Sequence, residues 1–564
     1  MRPIRARASL GALALALSAG AAAVGCGDHG AATRRPELPA PTLRLLVVTD
    51  LKGYLEPCGC TSRPLGGIDR MAAAMARARA DHVPTLAVAA GDLLFDGVAH
   101  AGVAGPEANT QDVWKAETLT QILQRVELAA AAPGASDFSK GADTFVRLAR
   151  GARFAVLGQG VSVAQATGAY ALPGSVVKDV GGTRVGIIGV AELAGPSGAA
   201  PEGVTNDGTA VVRATAAAAR ARQDGAQVIV ALVTGSRRTA REIARQVPGI
   251  DFIVEGGLDD ADVAPPVVVG RTVMLHAARQ GHGVLVVDVY RQAAAPGGGH
   301  ADGWRDVGEW SIRAERARLD RRIADLRGRI AAWERDRAAD RAQVAEQRAR
   351  LAELERERAG LSPHALDGDG FAARWEELGP EARSDAAVAR IVDAYDARVN
   401  DHNQRVFASV RAPEPAPGQA RYVGSDSCAQ GQCHGEAYAQ WRTTPHAHAY
   451  ATLTTRHKQF NLSCVGCHVT GYQQPGGSTV AHVEGLIDVG CENCHGPGSL
   501  HVADPTSPST LVRAVPETVC ARCHTPEHSD LFQYAAYRER VLGPGHGRPM
   551  PGGRRVVGQR EGGT

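Results

Sequence analysis

The sequence predicts a multidomain protein: a layered α/β domain towards the N-terminus, a long helical, coiled-coil-like connector, and a C-terminal domain made mostly of short helices and loops. Three observations carry this. Between about residues 43 and 290, apolar runs of strand length alternate with helical segments. From 312 to 361, apolar residues recur at heptad spacing among dense Arg and Glu. From residue 426 onward, eight of the 11 cysteines fall into four pairs. With 564 residues, 44% hydrophobic and 22% charged, each of several domains can bury its own core. A formal charge of +2 without a lysine-rich run or basic-aromatic alternation sets nucleic acid aside as a partner.

The first element is a leader. Arg2, Arg5 and Arg7 precede an apolar run from about Leu10 to Val24, the layout of a secretory signal, and the run is too short and alanine-rich for a membrane span. Ala23-Val24-Gly25-Cys26 resembles a bacterial lipobox, which implies removal of residues 1–25, a lipidated Cys26 and a membrane anchor. The alternative is a plain signal peptide with a stray cysteine. Either way the protein is exported, to the periplasm, and Gly27 in place of an aspartate favours the outer membrane over the inner. Residues 26–41 read as a linker.

The α/β domain is expected over 42–308. "LRLLVVTD", "TLAVAAGD", "FAVLGQG", "TRVGIIGVAE", "QVIVALVTG", "DFIVEGG", "VMLHAA" and "GVLVVDVY" have the length and apolarity of buried strands, with helical patterns between them. Ligands of such sheets gather at the carboxyl ends of strands, where Asp50 and Asp92 lie. Just beyond Asp50 stand Cys58 and Cys60. They are the two cysteines left after Cys26 and the four C-terminal pairs, and three readings are open: a reducible redox pair, a soft-metal ligand set, or a structural disulfide.

The connector follows at 312–361. Ile323, Ile330, Val344 and Leu351 occupy one seam position and Ile312, Leu319, Leu326, Trp333, Leu354 and Leu361 the other, with Arg337, Asp340 and Gln347 interrupting the middle. The pattern allows a helical hairpin, a homodimeric coiled coil with a weak centre, or one solvated helix, which if straight would extend roughly 75 Å. Residues 362–420 read as a helical segment and a Pro-rich linker, "APEPAPGQ".

The C-terminal domain, 421–550, carries the chemistry; residues 551–564 read as a flexible tail. Cys464 and Cys467 with His468, Cys491 and Cys494 with His495, and Cys520 and Cys523 with His524 are Cys-x-x-Cys-His sites. Cys428 and Cys433 with His434 form a fourth with four intervening residues, so its loop must bulge. Two thiols at this spacing add to the two vinyl groups of one porphyrin, and the next residue sets an imidazole against the iron. Zinc ribbons also use paired cysteines, but zinc gives no reason for a histidine after every second one. Four haem c groups are therefore expected, held in a domain with few large side chains of its own. Beyond the four proximal histidines, His446, His448, His457, His482, His501, His528 and His546 are available for the opposite faces.

Two resemblances extend these readings. "YVGSDSCAQGQCH", "QWRTTPHAHAYATL", "CVGCHVTGY" and "DVGCENCHGPG" resemble the tetrahaem cytochrome c-554 family, over about Arg421 to Met550. The resemblance implies a loop-rich helical fold with closely packed haems, three of them bis-histidine and one with an open axial site. It also implies His446 and His501 as distal ligands and, at the C-terminal end, His546 ahead of His528, while His448 and His457 read equally as solvated surface residues. Towards the N-terminus, "VVTDLKGYL", "AAGDLLF", "APGASDFSKG", "ALVTGS" and "VPGIDFIVEGGLDD" resemble the motif order of calcineurin-like metallophosphoesterases of the 5′-nucleotidase branch. Asp50 and Asp92 persist there, but Lys52, Ala135, Ser136, Val233 to Gly235, Gly257 and Asp259 stand where that family places its other ligands. His276 and His282 survive nearby. Losing those imidazoles and gaining a lysine cation removes the basis for two-metal phosphoester cleavage, so phosphoesterase activity is not expected.

The favoured reading is a lipid-anchored periplasmic cytochrome passing electrons between redox partner proteins, its α/β domain a scaffold or docking module. The alternatives are a redox enzyme acting at an open haem on a small nitrogen or sulfur compound, and a nucleotidase with an accessory cytochrome.

Overall fold

The computed structural model of the chain describes residues 38–57, 62–97, 106–194, 198–258, 263–292, 303–336, 340–507, 509–525, 528–543 and 546. The leading unit, Met1–Pro39, is described only at Leu38 and Pro39, which lie in irregular backbone. Cys26 falls outside the described residues. The unit from Ala40 to Thr564 holds everything that follows.

It opens with β1 (Leu43–Thr49), α1 (Ile68–Arg79), β2 (Thr85–Gly91), α2 (Pro106–Arg125), β3 (Leu128–Pro133), α3 (Ala142–Gly151) and β4 (Ala155–Val156). There follow β5 (Val161–Gln165), β6 (Gly168–Ala171), β7 (Ser175–Val180), β8 (Thr183–Ala191), β9 (Val204–Asn206), α4 (Ala210–Gln223), β10 (Val228–Thr234), α5 (Arg237–Gln246) and β11 (Phe252–Gly256). Then come β12 (Val267–Val269), β13 (Thr272–Leu275), β14 (Gly283–Tyr290), β15 (Arg305–Asp306), α6 (Trp310–Arg335), α7 (Arg341–Gly360), β16 (Gly370–Glu377) and α8 (Ala386–Val406).

Two sheets are stacked, with helices outside each. One runs β15-β16-β14-β1-β2-β3-β4 and the other β12-β13-β11-β10-β8-β7, while β6-β5-β9 form a small third sheet. Strands β1 to β4 run parallel, as do β8, β10, β11 and β13, which explains their continuous apolar runs: such strands are covered on both faces. The strand period of two then divides each run. Leu45 and Val47 of β1 meet Val230, Leu232, Phe252 and Val254 of the facing sheet. Leu46 and Val48 meet Met71 and Met75 of α1, Leu119 and Ile122 of α2, and Val392 and Tyr395 of α8. On the far side Ile229, Ala231 and Val233 pack on α4 and α5.

Two expectations change. The stretch 362–420 is not a helical segment followed by linker throughout, and the α/β domain does not end at 308: β16 pairs antiparallel with β14 over eight residues, Gly370 to Glu377, and α8 packs on α1 and α2. The register buries Phe371 and Ala373 between the sheets, and that burial overrides the helical preference of the Ala, Arg and Glu around them. Of the readings left open for 312–361, the structure shows the helical hairpin. Helices α6 and α7 lie antiparallel, closed by Leu319, Ile323, Leu326, Ile330, Val344 and Leu354 and flanked by the pairs Arg327–Glu355, Arg348–Glu334 and Arg358–Asp320. Asp340, an interruption in the heptads, caps α7: its Oδ1 accepts from Ala342 N at 2.8 Å.

From Ser425 onward the helices are short, none exceeding the eight residues of Gly435–Arg442 and Tyr534–Val541 among the described residues. The apolar cluster here is small: Leu462, Val465, Val469 and Val480, joined by Ala108 of α2. Among the described residues no helix is long and apolar enough to cross a membrane.

Candidate functional site

Each cysteine pair is folded as a helical turn, which brings its two thiols and the following histidine to one side. Cys467 N bonds to Cys464 O at 3.2 Å and His468 N to Val465 O at 3.0 Å; Cys491–His495 is a helical turn, and His524 N bonds to Cys520 O at 2.9 Å. The long motif does bulge. Gly431 takes φ +64°, a left-handed conformation natural to glycine, after which Cys433 N returns to Gln430 O and His434 N to Cys428 O. All eight thiols are free of disulfides. Burial pushes the Cys464 and Cys494 thiols up to about 11. Across motifs, the Cys428 thiol lies beside that of Cys491, and the Cys467 thiol beside that of Cys523.

The histidines are brought into facing pairs. His434 and His501 have ring centres 6.2 Å apart, and His446 and His524 have theirs 6.1 Å apart. Two imidazoles bound to opposite faces of one iron, each nitrogen about 2 Å from it, hold their ring centres about 6 Å apart. His546 lies within electrostatic reach of His495 and His434, and its buried Nδ1 has no hydrogen-bond partner. Among the described residues no second imidazole faces His468.

The residues therefore fit haem. Nδ1 of His468 donates to Ala449 O at 2.6 Å and that of His495 to Val512 O at 2.7 Å, while Nδ1 of His524 lies 3.0 Å from Ser529 Oγ. A proton fixed on Nδ1 leaves Nε2 with its lone pair for a metal. Burial holds His434, His446, His524 and His546 below the usual histidine pKa, which keeps the rings in the neutral, ligating form. The other histidines differ: His448 Nε2 is engaged with Arg442 O at 3.0 Å and His482 Nε2 with Ala408 O at 2.8 Å.

Sequence reading missed Glu492, inside the third Cys-x-x-Cys. It is 4% exposed, and its carboxylate accepts from Val423 N, Gly424 N and Gly498 N at 2.7 to 3.1 Å, tying the first motif to the third. A charged residue between two haem cysteines was the available signal.

At the strand ends the picture is different. Asp50 leaves β1 at φ +49°; its Oδ1 accepts from Asp92 N at 3.0 Å and Gly257 N at 2.7 Å, and its Oδ2 is buried without a partner. Gly91 leaves room for it, since a Cβ there would stand 2.0 Å from Asp50 Oδ1. Burial, reinforced by Asp92, raises the Asp50 carboxyl to about 7. The Asp92 oxygens take Ser136 N at 2.8 Å and Ser136 Oγ at 3.0 Å. His276 turns Nδ1 to the Glu255 carbonyl at 3.1 Å. Backbone and serine donors thus reach Asp50 Oδ1 and both Asp92 oxygens, and Lys52, Ser136 and Gly257 supply no imidazole. Among the described residues no three His, Cys, Asp or Glu converge as a metal site. Cys58, Cys60 and Asp259 lie outside the described residues.

Residues 427–496 match the family described as cytochrome c554 and c-prime. Cytochrome c-554 of Nitrosomonas europaea is 34% identical over 95 residues, 14% of this chain and 40% of that protein, so the chain spans less than half its length. Among solved structures, a 5′-nucleotidase precursor from Thermus thermophilus is 18% identical, covering 68% of this chain and 61% of that one with a TM-score of 0.41. The calcineurin-like phosphoesterase YfkN from Bacillus subtilis is 16% identical, covering 64% of this chain and 99% of that one, also with a TM-score of 0.41.

Proposed function

We propose that this chain, residues 427–496 of which match the cytochrome c554 family, is an exported multihaem c-type cytochrome that relays electrons through four covalently held haems. The observation that carries the reading is the gathering of four Cys–Cys–His turns with two pairs of facing imidazoles, whose ring centres stand 6.2 and 6.1 Å apart with room for one iron between them. Bound haem supplies an iron that alternates between ferric and ferrous and so accepts and releases single electrons. Cys428 and Cys433, Cys464 and Cys467, Cys491 and Cys494, and Cys520 and Cys523 tether the four groups. His434 pairs with His501, His524 with His446, and His495 with His546. The contacts of Cys428 with Cys491 and of Cys467 with Cys523 set tethers of different haems side by side, which favours electron passage within each pair. The strand-end carboxylates are committed to loop backbone, and the α/β domain acts as a scaffold and docking module without phosphoester chemistry. Lipidation of Cys26 anchors the chain at the periplasmic face of a membrane, the outer one in this reading, where it meets its redox partner proteins.

A second reading is favoured by one observation. His468 faces no other imidazole among the described residues, so the iron it holds has an open axial position at which a small nitrogen or sulfur compound could react.

Intact mass of the mature protein tests the first reading: four haem masses are expected, and a protein without them, or with zinc in their place, would falsify it. Carbon monoxide added to the reduced protein tests the second, with a spectral change at one haem of four expected. Phosphatase turnover with two tightly held divalent ions would overturn the scaffold assignment.

A further inference from the structure

The motif whose histidine faces no second imidazole is also gripped by the α/β domain. Gln111 of α2, 4% exposed, spends its whole amide on the peptide leading into Cys464 and on α8. Its Nε2 donates to Asn461 Oδ1 at 3.0 Å and Ser463 Oγ at 3.3 Å; its Oε1 accepts from Leu462 N and Asn403 Nδ2, both at 3.1 Å. From α8, Asn403 Nδ2 also donates to Phe460 O at 2.9 Å, and Asn400 Oδ1 accepts from Phe460 N at 3.3 Å. Lys458 Nζ lies 3.3 Å from Asp396 Oδ2 of α8 and pairs with Glu56, in the loop after β1.

One turn along α2 from Gln111 stands Lys115, with no ion-pair partner among the described residues. Its Cε crosses Gly53, 3.4 Å from where a Cβ on that glycine would lie, and its charge and that of Lys458 act on the Cys464 thiol, opposed there by the carboxylate of Asp396. The placement is selective. Only five of the 62 Lys and Arg residues are lysine, and three of those five, Lys52, Lys115 and Lys458, stand on this junction or the strand end beside it.

We propose that α2 and α8 complete the haem site at Cys464, Cys467 and His468, with Gln111 as a positioning residue and Lys115 as the cation that favours anionic over neutral ligands there. This rests on the reading that the iron held by His468 is open. A buried amide with every partner satisfied fixes the peptide it binds, because a substitution strands Leu462 N and takes one of two partners each from Asn403 Nδ2, which keeps Phe460 O, and from Asn461 Oδ1, which keeps Ser463 N. A lysine without a carboxylate, at a junction that excludes much of the water, leaves a positive potential that raises the affinity of small anions and leaves neutral ligands unaffected.

The test uses the four-haem protein, with azide titrated into the oxidised form and carbon monoxide into the reduced form. Lys115→Met should weaken azide about fivefold, an effect that shrinks with added salt, and leave carbon monoxide binding as it was. Gln111→Leu should move the midpoint potential of the carbon-monoxide-binding haem and leave those of the other three in place; Ser463→Ala, which removes a single bond, should do so more weakly and serves if Gln111→Leu does not fold. If no haem binds carbon monoxide, the open-site reading falls and this inference with it. If one haem binds it while azide affinity and midpoint potential are unmoved by these substitutions, the inference alone is overturned.

Discussion

The α/β sandwich and the cysteine-rich domain are held together by different means. The sandwich closes on large apolar layers, in which Leu45, Val47, Phe252 and Val254 are all 0% exposed, and its parallel strands satisfy one another's backbone. The domain from Ser425 onward has short helical turns, a core of Leu462, Val465, Val469 and Val480 with Ala108, and several buried polar side chains such as Glu492, Thr470 and Ser478 that act as cross-braces. One region is specified by its own side chains. The other is a set of brackets, and its apolar interior must come largely from what the brackets hold.

The contrast is broken most severely by removing the cofactor. A chain produced with all eight motif cysteines changed to alanine should lose amide-exchange protection throughout 421–543 and keep it in β1, β2, β10 and β11. Undiminished protection in the cysteine-rich domain would show that it folds on protein contacts alone. The converse lesion is Phe252→Ala, at a site 0% exposed between the sheets, which should cost the sandwich about 3–5 kcal/mol in denaturant unfolding. Haem spectra should not change, since Phe252 lies in the layer between the sheets. A substitution at His446 sharpens the comparison from the other side. His446→Ala should turn one low-spin haem high-spin by electron paramagnetic resonance, whereas His448→Ala, whose ring is engaged with Arg442 O, should leave the spectrum as it is. Equal spectra for the two variants would remove His446 from the ligand set.

What the sequence revealed follows the same contrast. The strands of the sandwich and the four Cys–Cys–His turns are local patterns, visible within ten residues or fewer, and the need for a bulge at Cys428 to Cys433 was legible from spacing alone. The placements that depend on distant partners were not. β16 reads as helix until β14 is there to pair with it, and Asp340 reads as a break in a heptad until its carboxylate is seen capping α7. Gln111 is an ordinary polar residue on an amphipathic helix, and only the approach of residues 350 positions away makes it the point where the two regions meet. The facing of His434 with His501 and of His446 with His524 lay in the same class: the histidines could be enumerated, but pairing them required the fold.

The smallest expected effect concerns a charge inside the sandwich. Asp50 is 0% exposed and its carboxyl is raised to about 7 by burial, against about 3.9 in an unfolded chain. The folded state therefore holds this proton more tightly than the unfolded one. The stability it contributes is complete below about pH 4 and is lost as the pH rises through about 7, with a slope of up to about 1.4 kcal/mol per pH unit for one proton. Asparagine at this position keeps the oxygen that accepts from Asp92 N and Gly257 N and cannot ionise. Asp50→Asn should thus flatten the decline in stability between about pH 4 and about pH 7, leaving the part owed to Asp137, whose carboxyl burial also raises. Because Asp50 lies in the sandwich, the effect should appear in the unfolding of that region, with the haem potentials unchanged. An unaltered slope would mean that the Asp50 carboxylate is ionised throughout this range, and that the strand end keeps a cation close enough to hold it so.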